Sequence, residues 1–78
     1  MERTEVVQAF TEVLERRGVA YAEPLRLVED AEMDSYDLVS VILELEELVD
    51  VAFDDDTQML FSEASLAKIT DEICRLKS

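Results

Sequence analysis

The sequence predicts an all-α fold: a small four-helix bundle of three main helices and a short helix III, with a long loop between helices I and II. Three observations lead there. The 78 residues include a single Gly and a single Pro, so the punctuation needed for a series of β-turns is missing. No Asn-Gly or Asp-Gly pair marks a hairpin. Apolar residues make up 49% of the chain and, outside one stretch, they recur at helical spacing. The length fits one domain, residues 1–78, which buries only about 60% of the surface an unfolded chain exposes. A deep catalytic cleft is not expected in so small a body.

The first helix is expected from about residue 3 to 17, with Val6, Val7, Phe10, Val13 and Leu14 on its apolar stripe. Arg16 and Arg17 fall in its last turn and Gly18 follows as the residue that can turn left-handed to end it. From Gly18 to Met33 the periodicity fades, yet Val19, Tyr21, Leu25, Leu27 and Val28 are too apolar for a free linker. This loop is expected to pack across the bundle, with Tyr21 and Pro24 as anchors. Loops of this length without secondary structure are uncommon in compact domains and tend to carry function, which directs attention to the far end, at Asp34.

Asp34 is a good N-cap residue, and Asp37 adds negative charge in the first turn of a helix running from Ser35 to about Asp50. At 100° per residue, Leu38, Val41, Ile42, Leu45, Leu48 and Val49 share the arc expected to face the core. A second row, Tyr36, Val39 and Leu43, lies on a different side beside Glu46, Glu47 and Asp50. Either this helix is central and both rows are buried, or the second row is a docking face suited to a groove lined with Lys and Arg. Asp54, Asp55 and Asp56 can cap a short third helix containing Met59, Leu60 and Phe61. Ser62 or Ser65 then opens the fourth, whose stripe is Leu66, Ile69, Ile73 and Leu76.

Seven basic and twenty acidic side chains give a net charge of −13. Nucleic acid and anionic membranes would repel such a chain, and its partners should be basic. No run of 18 apolar residues and no secretory leader is present, and the lone Cys74 cannot form an internal disulfide, so a cytoplasmic location is expected; the chain is also expected to be a monomer. The chain has no histidine, the commonest general base, and Ser35 has no supporting spacing to Lys68 or Lys77. An enzyme is therefore not expected. Asp50, Asp54, Asp55 and Asp56 lack the glycine and glutamate offsets of a calcium loop and read as a solvated cap, so no metal site is assigned. Cys74 reads as a small half-buried residue of the last helix.

Ser35, directly after the acidic cap at the exit of the long loop, should have an exposed hydroxyl at the positive end of a helix. The stretch Val28-Glu29-Asp30-Ala31-Glu32-Met33-Asp34-Ser35-Tyr36-Asp37, followed by Val39, Ile42, Leu45, Glu46 and Glu47, closely resembles the acyl carrier protein family. That family's signature is a Gly-x-Asp-Ser-Leu-type motif opening the second helix of a small acidic four-helix bundle. The resemblance implies that Ser35 carries phosphopantetheine, derived from coenzyme A, through a phosphodiester. It implies a carrier of acyl or aminoacyl thioesters in fatty acid or secondary metabolite biosynthesis, and Met33-Asp34-Ser35 also resembles D-alanyl carriers. The partners implied are a phosphopantetheinyl transferase, a loading ligase and downstream transferases with basic docking patches. The expected recognition surface is Asp34, Tyr36, Asp37, Val39, Leu43, Glu46 and Glu47 around Ser35. Two departures stand out: Glu32 occupies the motif's glycine position and Tyr36 the position of Leu. The alternative reading is an unmodified acidic helical adaptor that binds a basic protein through the same helix.

Overall fold

In a computed structural model describing residues 1–78, four helices follow in the order α1 (Arg3–Glu15), α2 (Ser35–Val49), α3 (Asp55–Glu63) and α4 (Leu66–Lys77). There is no sheet; the one bridge pairs Arg26 with Ser65. The helices enclose a single core of sixteen apolar residues. Phe10 of α1 and Phe61 of α3 meet at its centre with ring centroids 5.9 Å apart, extended on either side by Phe53 and Tyr21.

Each helix boundary follows from local chemistry. α1 stops two residues before the expected Arg17, and Gly18 closes it at φ 71°. Val19 N–H reaches the Leu14 carbonyl at 3.1 Å and Gly18 N–H the Glu15 carbonyl at 3.0 Å, the paired closure that a left-handed residue permits. Arg17 donates to the Val13 carbonyl at 3.1 Å, and Arg16 and Arg17 both grip Glu44 of α2, at 2.8 and 2.5 Å. α2 ends one residue before Asp50, which itself takes the left-handed conformation at φ 55° and bonds back to Glu46. Asp54 caps α3 by accepting from Thr57 N–H at 2.8 Å, which holds its carboxyl below the usual carboxylate range. Of the two serines that could open α4, Ser65 does so.

The long loop packs across the bundle as its apolar content predicts. Leu27 is fully buried, and Val19, Tyr21 and Leu25 are half-buried against the core. Val28 is instead exposed, because the tight turn after Leu27 rotates it outward. Pro24 is exposed too, in a turn closed by Leu25 N–H on the Ala22 carbonyl at 3.0 Å. Tyr21 does anchor the loop: its hydroxyl lies 2.9 Å from that of the buried Thr70 in α4. The carbonyls of Leu25 and Glu23 accept the amides of Leu66 and Ala67 at 2.9 and 3.0 Å. The loop thus supplies acceptors for the otherwise unsatisfied first amides of α4.

In α2, Val41, Ile42, Leu45 and Val49 are buried and Leu38 half-buried. Leu48, assigned to the core by the helical wheel, is 42% exposed. Four core positions already fill the arc that α2 turns inward, and Leu48 lies at its edge, over a shallow gap next to α1. Cys74 is half-buried in α4.

Candidate functional site

The approach to α2 is set by backbone geometry. From Arg26 to Asp30 the chain makes a tight helical turn, with Asp30 N–H on the Arg26 carbonyl at 2.9 Å and the Asp30 carboxylate accepting Arg26 N–H at 2.8 Å. Glu32 then adopts φ 54°, the left-handed region in which a side chain costs roughly 1–2 kcal/mol and glycine costs nothing. This places Met33 N–H on the Leu27 carbonyl at 3.0 Å and buries the Met33 side chain in the core. Asp34 emerges in an extended conformation, and its Oδ1 accepts Asp37 N–H at 2.8 Å.

Ser35 is the first residue of α2 and is exposed. The Asp34 cap uses Asp37 N–H, and the first in-helix bond is Leu38 N–H to the Asp34 carbonyl. The amides of Ser35 and Tyr36 precede it, so they remain as donors at the positive end of the helix. Asp34 is exposed beside them and Asp37 half-buried.

The second apolar row of α2 is not buried. Tyr36 is 79%, Val39 54% and Leu43 59% exposed, and Glu47 is exposed next to them. The reading in which both rows are buried is thereby excluded. Glu46, expected on the same face, is spent differently: its carboxylate turns toward the α2–α3 connection and accepts Phe53 N–H at 2.6 Å. It is half-buried and ties the connection to α2.

Beside Ser35 a groove of about 380 Å³ runs between α2 and α3. Leu38, Val39 and Ile42 form one wall with Ser35 at its rim, and Asp55, Gln58, Met59 and Ser62 form the other. Gln58 is held in place by its donation to the Phe53 carbonyl at 2.9 Å. The α3 wall was not recognised from sequence. Its four residues stand at i, i+3, i+4 and i+7, the spacing of one helix face, but only Met59 is apolar, so a search for apolar periodicity passes over it.

No protein family model, curated protein or solved structure matches this chain.

Asp55 is the one ionisable side chain lining the groove, and no histidine exists in the chain to relay a proton from Ser35. Nor do three acidic or thiol side chains converge as a ligand set for a metal. No helix is long and apolar enough to cross a membrane. The arrangement offers an accessible hydroxyl, two free amides, an apolar groove beside the hydroxyl and an exposed apolar row edged by carboxylates.

Proposed function

We propose that this chain is a carrier protein whose Ser35 hydroxyl is the attachment point for phosphopantetheine and whose α2 face presents the attached acyl or aminoacyl cargo to partner enzymes. The exposed position of Ser35 at the first residue of α2, on the rim of the α2–α3 groove, carries this reading. Attachment needs a hydroxyl that a transferase can reach, and the Ser35 oxygen would displace the nucleotide portion of coenzyme A to form a phosphodiester. Next to it the free amides of Ser35 and Tyr36 suit a phosphate, which the helix dipole favours. The exposed Asp34 opposes a second negative charge, so the diester's single charge fits better than a phosphomonoester. When bound, the arm supplies a terminal thiol that holds the cargo as a thioester.

The rest of the work falls to the chain. Tyr36, Val39 and Leu43 give a shallow apolar strip for contact, and Asp34, Asp37 and Glu47 attract basic patches on a transferase or a loading ligase. Weak, charge-steered contact suits a module that must leave one enzyme for the next, while tethering keeps the cargo at high effective concentration. The departure at Tyr36 puts an exposed phenol where the family has an aliphatic residue, so partners should offer it a ring or a guanidinium to stack on.

The same exposed strip also fits an unmodified acidic adaptor, for which Ser35 is irrelevant. Intact mass after incubation with coenzyme A and a broad-specificity phosphopantetheinyl transferase separates the two. A carrier gains one phosphopantetheinyl group, and Ser35→Ala gains none. No gain in the parent protein, alongside a control carrier that is modified, rejects the carrier reading and leaves the adaptor.

A further inference from the structure

A second groove lies between α1 and α2, away from Ser35, with a volume of about 330 Å³. It is lined by Met1, Glu5, Gln8, Ala9, Glu12 and Leu48. Leu48 and Met1 are each 42% exposed, large apolar side chains that the fold leaves uncovered. The groove's ionisable side chains are both acidic. Neither Glu5 nor Glu12 forms an ion pair: Glu5 Oε1 accepts Glu2 N–H at 3.2 Å in the cap of α1, and Arg3 is paired with Glu23 and Asp71 and Arg16 and Arg17 with Glu44.

We propose that this groove is a docking site for a basic amphipathic helix of a partner protein. The charge pattern selects that occupant. A second copy of this chain, at −13, would bring carboxylates against carboxylates, and an anionic lipid surface would be repelled in the same way. Glu5 and Glu12 are two helical turns apart on α1, about 10.5 Å, which matches residues i and i+7 of an incoming helix. Lys or Arg at those two positions can pair with the two carboxylates. An aliphatic side chain at i+3 or i+4 then falls between them, over Ala9 and Leu48.

The position of the groove gives this surface a use of its own. Leu48 follows Ser35 by thirteen residues, about 20 Å along α2, and lies well round the helix from it. A partner held there leaves Ser35 and the α2–α3 groove open to a second protein. The proposal is independent of what Ser35 carries.

A synthetic amphipathic peptide of about 14 residues, four helical turns, with Lys at i and i+7 and Leu between them, is the probe. Its scrambled isomer of equal charge is the control. In an ¹⁵N-labelled sample, titration should shift the amides of Gln8, Ala9, Glu12 and Leu48, and the patterned peptide should bind more tightly than the scrambled one. Leu48→Lys and Glu12→Lys, each checked for retained helicity, should weaken binding roughly tenfold, as loss of an interface anchor does. Shifts centred on Tyr36, Val39 and Leu43, equal binding of both peptides, or unchanged affinity in both variants would overturn the proposal.

Discussion

The amide of Met33 donates to the carbonyl of Leu27 across 3.0 Å, and the bond closes because Glu32, just before Met33, sits at φ 54°. Through that bond the loop turns Met33 into the core and delivers Asp34 to its capping position. The strain sits three residues before Ser35, the residue proposed to carry the cofactor, at the position where the resembling family has glycine.

Glu32→Gly should therefore stabilise the protein. Relief of the left-handed penalty, about 1–2 kcal/mol, exceeds glycine's extra unfolded-state entropy of roughly 0.5–1 kcal/mol, for a net gain of about 0.5–1 kcal/mol. Glu32→Ala keeps the strain and removes only an exposed side chain, so it should change stability by less than about 0.5 kcal/mol. Urea titrations of the three proteins give the comparison; a glycine variant no more stable than the alanine variant contradicts the account.

Glu46 and Glu47 are adjacent, but their roles diverge. Glu46→Ala strips Phe53 N–H of a charged acceptor at 2.6 Å and should cost about 1.5–3 kcal/mol. Glu47 is exposed and in no ion pair, so Glu47→Ala should stay within about 0.5 kcal/mol of the parent. Docking is thus read cleanly by Glu47→Lys alone. It should slow modification of Ser35 by a basic transferase while the melting temperature holds. A charge reversal at Glu46 mixes docking with loss of the α2–α3 tie.

Much of this was legible in the sequence because short-range rules decided it. Asp34, Asp54 and Ser65 are N-cap types and cap the helices they precede, Gly18 supplies the left-handed closure of α1, and periodicity located α1, α2 and α4 while the acidic cap placed α3. Glu32 was legible as a left-handed position only through the resemblance, which puts glycine there, and Asp50 was not read as one, because Asp visits that region more often than most residues but far less often than glycine. Leu48 was misplaced because a helical wheel gives direction but not the width of the arc that neighbouring helices cover. The α3 wall of the groove was missed since three of its four residues are polar. The use of loop carbonyls to accept the α4 amides depends on tertiary contact between segments some forty residues apart, which no local pattern encodes.

Glu44 bridges α1 and α2 through two arginines, and the hydrogen bond from Arg17, then that from Arg16, holds its carboxyl below the ordinary carboxylate range. A depressed carboxylate contributes stability that is fully present above its unfolded value, about 4.3, and lost as pH falls through the folded one. Glu44→Gln should therefore be less stable than the parent by about 0.2–1 kcal/mol at neutral pH, the range for partly exposed pairs. The gap should close as the solution is acidified below about pH 4. Paired thermal melts across that range measure it, and a gap that persists at the acid end contradicts the ion-pair assignment.

Added salt should raise the melting temperature. Screening has two opposing effects here: it weakens attraction within ion pairs and weakens repulsion among unpaired carboxylates. The attractive side is small, since only Arg3, Arg16, Arg17 and Arg75 form ion pairs, and the arginine side chains at positions 3, 16 and 75 are largely exposed. Lys77 and Arg26 instead donate to the carbonyls of Asp50 and Glu63. The repulsive side is large, with twenty acidic groups and a net charge of −13 on 78 residues. Self-repulsion of this kind destabilises the compact state, and its relief should dominate as sodium chloride rises from about 0.01 to 0.15 M, where the screening length contracts from about 30 to 8 Å. The Glu44→Gln gap should narrow over the same range while the absolute melting temperature climbs. A melting temperature that falls with salt would mean that the few ion pairs outweigh the excess of carboxylates.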